Sequence, residues 1–506
     1  MASVRGGPLK DTTRCTVQSP IIVLLTSMSG SSLRVAFIHP DLGIGGAERL
    51  VVDAALGLQS LGHTVDVYTS HHDPGHCFEE TRDGTLSVKH VVPPFPRAIA
   101  GMLHILFAHL RQLHLTRYLL RQDAPRYDVF FVDQLSTCVP LLRKFAGTRV
   151  VFYCHFPDQL LANGEFVEDP KRRKRGSVLK RLYRIPMDML EEWTTGQADV
   201  ILANSNFTAR VFKTQFPSIH KDTRVVHPGI NLGAYDAPVD PSDLDIAALQ
   251  SDRPTFVSLN RFETKKNVAL AIAAFAQFLA ANPATPCCRL VIAGGYDPRV
   301  EDNVATLTSL TALATRHGLT YTVTSPDPSV IPPSTSHTPS ADPDILFLLN
   351  FTLPQRTALL RAPRARGLLY TPANEHFGII PCEAMYCGLP VLARDSGGPT
   401  ETVVDVACGE GVTGWLRPGD AAVWAGVLGE MARMHEGERT RMAEAARARV
   451  AALFGMDAMA RSMEGALRDA VAMGELRPAS WDSWAMVALM LFGFLLAYAV
   501  GPWVLP

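Results

Sequence analysis

The sequence predicts an α/β protein with two doubly wound parallel-sheet domains facing each other across a cleft, and a membrane helix at the C-terminus. Three observations lead there. Short apolar β-type runs alternate with longer helix-periodic stretches, the pattern that buries a parallel sheet between helices. The alternation occurs twice along the chain. The final segment, Trp484–Pro506, carries no Asp, Glu, Lys or Arg. A length of 506 residues accommodates this plan, and 47% hydrophobic against 19% charged residues supplies sizeable cores and excludes a disordered chain. The formal net charge of −1 argues against nucleic acid as a partner. Nine cysteines in a chain of this length, without zinc-site spacing, imply a reducing compartment rather than a disulfide framework.

The elements justify themselves in order. Residues 1–33 form an N-terminal extension, with three basic residues before the five apolar residues Ile21–Leu25, shorter than the apolar core of a secretory signal. An N-terminal domain spans 34–235. Arg34–His39 (RVAFIH) reads as its first strand, followed by a Gly-rich turn and a helix over Ala47–Leu61. Thr64–Thr69, Val129–Val132, Val150–Cys154 and Val200–Ala203 are further strands. The domains join near His227–Pro238, with a linker at 236–253. A second domain spans 254–435, with strands at Thr255–Leu259, Arg289–Ala293, Gly367–Tyr370 and Pro390–Ala393, and helices over Asn267–Ala280 and from Glu383. Within it, 324–343 (TSPDPSVIPPSTSHTPSADP) is a Pro/Ser-rich surface insertion. Helices over 436–480 pack back across the domains. The 23 residues of 484–506 would span ~34 Å as a helix, enough for the ~30 Å hydrocarbon core.

Ligands of open parallel sheets lie at the carboxyl ends of the strands, and four segments there could carry chemistry. In His39–Arg49 (HPDLGIGGAER), Gly45 and Gly46 let backbone approach a ligand and the following helix aims its N–H groups at an anion; a plain tight turn is the bland alternative. In Leu259–Asn267 (LNRFETKKN), Arg261 and Lys266 could neutralise a diphosphate, or simply form a solvated basic helix start. In Tyr370–Gly388 (YTPANEHFGIIPCEAMYCG), Glu375 falls in a loop and Glu383 eight residues on, in the first turn of a helix, with Gly378 between them. A second glycine loop, Asp395–Glu401 (DSGGPTE), follows the next strand. Asp243/Asp245 and Asp342/Asp344 have D-x-D spacing but read as solvated turn acids, so no metal site is expected.

Glu375 and Glu383, with Phe377–Gly378 between, resemble the E-x7-E motif of the retaining GT-B glycosyltransferases that use nucleotide sugars. FYCHFPD (Phe152–Asp158), NRFETKKN and HFGIIPCEAMYCGLPVLARDSGGPTE narrow the resemblance to mannosyltransferases of dolichol-linked oligosaccharide synthesis, from about Arg34 to about Trp415. The insertion at 324–343 departs from that pattern and the N-terminal extension lies outside it.

The resemblance implies two Rossmann-like domains and a set of roles. Glu383 would accept hydrogen bonds from ribose hydroxyls, and Glu375 would lie by the sugar at the reacting end. Arg261 and Lys266 would hold the diphosphate, stabilising charge on the leaving group. Amides around Gly378–Ile379 and Gly45–Gly46 would add neutral donors. His155 would hydrogen-bond the donor sugar or assist proton removal. The implied reaction moves mannose from GDP-mannose to a dolichyl-diphosphate-linked Man-GlcNAc2 acceptor, forming α1,3 and α1,6 branches with retention, by front-face attack and without cofactor or metal. An acceptor of the phosphatidylinositol type with another nucleotide sugar is the alternative within the fold. A dinucleotide oxidoreductase is disfavoured, because no G-x-G-x-x-G occurs in the first glycine loop.

A lipid acceptor requires a membrane address, expected at the cytosolic face of the endoplasmic reticulum, with other early-pathway mannosyltransferases as protein partners. Besides 484–506, Ala98–Leu110 (AIAGMLHILFAHL) suits the bilayer interface. Lys171–Arg184 holds eight Lys/Arg in fourteen residues beside an apolar helical face, which suits anionic headgroups. Ordinary packing is the competing reading of each. The sequons at Asn206 and Asn350 would stay unmodified on a cytosolic face.

Overall fold

The computed structural model describes residues 31–99, 103–161, 178–282, 288–332 and 342–476. Trp484–Pro506, most of the N-terminal extension, and parts of 98–110, 171–184 and 324–343 therefore lie outside the described residues. Among the described residues no helix is long and apolar enough to cross a membrane.

Two seven-stranded sheets form the protein, and every strand pair is parallel. The first contains β1 (Arg34–His39), β2 (Thr64–Thr69), β3 (Ser87–His90), β4 (Val129–Asp133), β5 (Arg149–Cys154), β6 (Val200–Ala203) and β7 (Thr223–Val225), in the order 3-2-1-4-5-6-7. The second contains β8 (Thr255–Leu259), β9 (Arg289–Gly294), β10 (Tyr321–Thr324), β11 (Ile345–Leu349), β12 (Ala365–Tyr370), β13 (Val391–Arg394) and β14 (Gly414–Arg417), in the order 10-11-9-8-12-13-14. The central strands are nearly continuous apolar runs because both faces are covered by helices: all five residues of β4, β8 and β11 are buried. The strand order switches sides between β1 and β4 in the first sheet and between β8 and β12 in the second, and a crevice opens at each switch point.

The structure adds β3, β7, β10, β11 and β14 to the strands the sequence suggests. Four are peripheral, but β11 (ILFLL) is a buried inner strand that a short apolar run alone does not distinguish from a helix segment. One boundary is corrected. The helix expected from Glu383 begins at Ile379, directly after Gly378, whose φ of 86° ends the preceding loop. Glu383 is thus its fifth residue, one turn inside.

The interfacial reading of Ala98–Leu110 is also corrected over its described part. Helix His104–Leu119 buries Leu106, Phe107 and His109. Leu106 and Phe107 are packed inside the protein and cannot face lipid. Ile99 does stay half exposed. In helix Val178–Gly196, Met187 and Leu190 are buried while Ile185 and Met189 are exposed.

The chain crosses between the lobes twice, and the crossings pair. Ile230 bridges Gly455, with its N–H donating to the Phe454 carbonyl at 2.8 Å and its own carbonyl accepting from Met456 N–H at 3.1 Å. A Cβ on Gly229 would fall 2.7 Å from Met456 Cα, so only glycine allows that approach. Helix Glu436–Leu453 then packs on the second lobe through Ala446 and Val450. Helix Met456–Ala472 returns to the first, burying Met459, Met463 and Leu467 beside β1 and helix Gly46–Ser60.

Candidate active site

The carboxyl ends of both sheets carry the polar side chains, and they meet. Phe156, just past β5, lies flat on the imidazole of His376, just past β12, with 3.9 Å between centroids and 7° between planes. Ser205 Oγ, after β6, donates to the His376 carbonyl at 2.5 Å. Glu401 of the second lobe accepts from the backbone N–H groups of Asn206 at 2.9 Å and Phe207 at 3.1 Å, from Asn206 Nδ2 at 2.7 Å, and contacts His227 Nε2 at 3.2 Å. One carboxylate of the DSGGPTE loop therefore caps the N-terminus of helix Asn206–Gln215 on the other lobe.

On the second lobe, Lys266 Nζ donates to Glu375 Oε2 at 2.6 Å. Thr371 Oγ1 holds the Lys266 carbonyl at 2.7 Å, tying the two loops together. Burial alone would raise the Glu375 carboxyl, but the ammonium of Lys266 outweighs it and leaves the acid below its ordinary range. A recess of about 220 Å³ opens beside them, lined by Asn260, Arg261, Lys266, Gly294, Gly295 and Tyr370 among others. Gly294 is sterically required, since a Cβ there would fall 1.7 Å from the Asn260 carbonyl oxygen, and so is Gly397 of the DSGGPTE loop, where one would fall 2.5 Å from the Glu375 carbonyl oxygen. Arg261 extends into solvent and pairs with Glu263 at 2.9 Å, so it can swing toward an anion at small cost.

Glu383 is buried, and Arg356 Nη1 bonds both of its oxygens at 2.9 and 3.1 Å. The Arg356 guanidinium stands 5.2 Å from the centre of the Tyr235 ring. Two of the roughly four acceptor positions of a carboxylate are thus taken by Arg356, and the Tyr235 side chain also interacts with the carboxylate, leaving room for a further hydroxyl donor. Gly378 and Ile379 form the start of the same helix. Gly45 caps helix Gly46–Ser60 in an extended conformation, and the Glu48 carboxylate folds over it, 2.2 Å from where a Cβ would stand. The anion position expected over this helix terminus is occupied by the chain's own acid.

His155 stands where β5 ends, and its Nε2 meets Asp133 Oδ2 at 2.9 Å. Asp133, the last residue of β4, is fully buried and also receives His39 Nδ1, at the end of β1, at 2.8 Å from each oxygen. Burial would raise Asp133, but the two imidazoles outweigh it and hold it ionised below its ordinary range. With Nε2–H committed to Asp133, the other nitrogen of a neutral His155 is an acceptor. Asn204 Nδ2 fixes the His155 carbonyl at 2.9 Å.

The structure thus joins Lys266 to Glu375, sets Arg261 on the rim of the same recess, and puts His155 on the facing lobe. Sequence reasoning did not single out Asp133, His39, His376, Arg356 or the function of Glu401. A signal existed for the first two: each is a polar residue that ends an apolar run, VFFV before Asp133 and VAFI before His39. Asp243 caps a short helix by accepting from Asp245 N–H at 2.9 Å, and Arg253 pairs with Asp344 at 2.9 Å and with Asp342 at 3.5 Å, so these acids have structural employment.

Comparison with known proteins agrees with this geometry. The family described as Glycosyltransferase Family 4 matches residues 44–234, and Glycosyl transferases group 1 matches residues 351–449. Among solved structures, sucrose-phosphate synthase from Thermosynechococcus elongatus superposes with a TM-score of 0.63 at 20% identity, over 87% of this chain and 100% of that one. The catalytic domain of starch synthase IV from Arabidopsis thaliana gives 0.62 at 14% identity, over 87% of this chain and 100% of that one. Both share the two-lobed GT-B fold. The alpha-1,3/1,6-mannosyltransferase ALG2 of Rhizomucor pusillus is 46% identical over 471 residues, 92% of this chain and 97% of its own. That of Saccharomyces cerevisiae is 41% identical over 435 residues, 85% of this chain and 83% of its own. The chain is a GT-B glycosyltransferase and belongs to the family of the alpha-1,3/1,6-mannosyltransferases ALG2.

Proposed function

We propose that the protein transfers mannose from GDP-mannose to a dolichyl-diphosphate-linked Man-GlcNAc2 acceptor, forming α1,3 and α1,6 linkages of the early N-glycan precursor. The observation that carries the reading is the Lys266–Glu375 pair beside the glycine-walled recess with Arg261 on its rim. Lys266 and Arg261 hold the diphosphate, Glu383 takes the ribose hydroxyls, and the amides at Gly378–Ile379 add donors. Gly45 and Gly46 serve the same anion only if Glu48 moves aside. Glu375, steered by Lys266, receives the mannose hydroxyls.

Donor and product are both α-linked, so configuration is retained. As the anomeric carbon–oxygen bond breaks, charge develops on the phosphate, next to Lys266 and Arg261. The departing phosphate oxygen takes the proton of the acceptor hydroxyl, which attacks from the same face. No carboxylate lines the recess among the described residues, and Glu375 beside it is engaged by a cation, which disfavours a covalent glycosyl-enzyme. His155, held as an acceptor by Asp133, receives a hydroxyl of the donor sugar or of the acceptor. The reading requires no metal cofactor.

The acceptor's lipid places the enzyme at the endoplasmic reticulum membrane with both lobes on the cytosolic side, held by residues 484–506 and by the basic segment 171–184 beside exposed Ile185 and Met189. Asn206 supports this side: its amide nitrogen bonds Glu401 across the lobe boundary, where an attached glycan would part the lobes. Other early-pathway mannosyltransferases would be its neighbours there. The test is incubation of membranes carrying the protein with GDP-mannose and lipid-linked Man-GlcNAc2, followed by linkage analysis. Formation of α1,3 and α1,6 mannosides is expected. Absence of transfer, or preference for a uridine-linked sugar, would refute the reading.

A further inference from the structure

A large cavity lies away from the candidate active site. It measures about 770 Å³ and sits at the amino-terminal edge of the second sheet, under the segment that links the lobes. Pro238, Ile246, Leu249, Ala358 and Leu359 give it mostly apolar walls, and its charged lining is Arg289, Arg361 and Arg364 with Asp252. Arg289 is the first residue of β9, whereas Gly294, the last, borders the active-site recess. Five residues of strand separate them by ~16 Å, so the two spaces are distinct.

Arg289 is an unusual lining residue. Only 5% of its surface is exposed, and its Nε is buried without a hydrogen-bond partner. One Nη donates to the Leu249 carbonyl at 2.6 Å. No carboxylate of the described residues forms an ion pair with it, because Arg253 engages the neighbouring Asp342 and Asp344. Burial disfavours its charge, Asp342 offsets this in part, and Arg253 adds to it. A buried guanidinium with free donor capacity costs stability that a bound anion would return. A guanidinium presents paired donors suited to a phosphate or a carboxylate, and the surrounding walls suit an apolar body attached to that anion.

We propose that this cavity is a second ligand site, which binds a small anion bearing an apolar group through Arg289. The site is independent of the mannosyl-transfer reading. Its occupant would touch the interlobe linker at Pro238 and Leu249, not the donor sugar.

The test is thermal unfolding of the full chain in detergent, with saturating GDP present to block the diphosphate recess. Phenyl phosphate and benzoate are the probes, and benzyl alcohol is the uncharged control. At ten times its dissociation constant a probe should raise the Tm by about 1 °C, and benzyl alcohol should not. Response to phenyl phosphate alone, or to benzoate alone, identifies the preferred headgroup. Arg289→Met should abolish the rise and, without probe, melt no lower than wild type. Ala358→Trp, which fills the cavity without touching the charge, should also abolish it and decides the matter if Arg289→Met does not fold. No rise in the wild type with either probe, or a rise that survives in these variants, overturns the site.

Discussion

The ring of Phe156 lies on that of His376 at 3.9 Å, with one residue supplied by each lobe. The stack sets the separation of the strand ends at the point where the loop bearing His155 faces the loop bearing Glu375. Burial pushes His376 down to about 4, so the ring is neutral at physiological pH and stacks as a flat apolar body. The active site is therefore built on a contact between lobes, and the following outcomes depend on it.

Lys266→Ala should lower mannosyl-transfer turnover by about 100-fold or more, the loss expected when one preorganised donor to a developing anion is removed. Because Lys266 and Glu375 act as a pair at 2.6 Å, the double variant with Glu375→Ala should cost less than the product of the single losses. Arg261→Ala should fall in the same direction. Steady-state kinetics with GDP-mannose measure all of these, and multiplicative losses would separate the two residues.

Asp133→Asn removes the acceptor that orients both His39 and His155. The amide can present a donor to an imidazole and favours the opposite tautomer. A fall of about 10- to 100-fold in kcat, the range for losing an orienting partner of a functional imidazole, is expected with little change in the KM for GDP-mannose. A change confined to KM would assign Asp133 to donor binding instead.

Glu383→Ala should mainly weaken nucleotide binding, by about tenfold, equivalent to ~1.4 kcal/mol. It also strands a half-buried Arg356, whose partial solvent access limits the stability loss to about 1–3 kcal/mol. Calorimetric titration with GDP and thermal unfolding separate the two effects. Arg356→Met with Glu383→Ala should recover stability but not affinity.

Glu401→Gln should loosen the lobes, read as a larger radius of gyration in solution scattering. Burial alone would raise the Glu401 carboxyl, but the hydrogen bonds from His227 and the Asn206 and Phe207 amides outweigh it and leave it below its ordinary value. A depressed folded pKa gives stability that is complete above the unfolded value of about 4.3 and disappears as pH falls through the folded value. Unfolding between pH 5 and pH 3 should therefore be steeper for wild type than for Glu401→Gln.

Removal of residues 484–506 should release the protein from membranes only in part, as judged by fractionation, because the basic segment and exposed Ile185 and Met189 remain. Complete release would show that those surfaces pack against protein.

The sequence by itself determined the doubly wound class, because a strand buried on both faces must be apolar throughout, as in VFFVD and TFVSL. It also determined the local chemistry of the loops: glycines that admit close backbone approach, and the E-x7-E spacing, are properties of neighbouring residues. Tertiary structure decided everything that joins distant residues. That Lys266 meets Glu375 across 109 positions, or that Asp133 gathers histidines 94 and 22 residues away, follows from which strands adjoin at the switch points, and no local pattern encodes it. The same holds for Glu401, which reads as an ordinary first-turn acid of its own short helix until the lobes meet and make it the cap of another. Strand β11 and the start of the helix bearing Glu383 escaped for a related reason: packing and the left-handed turn at Gly378, rather than periodicity, set where those elements lie.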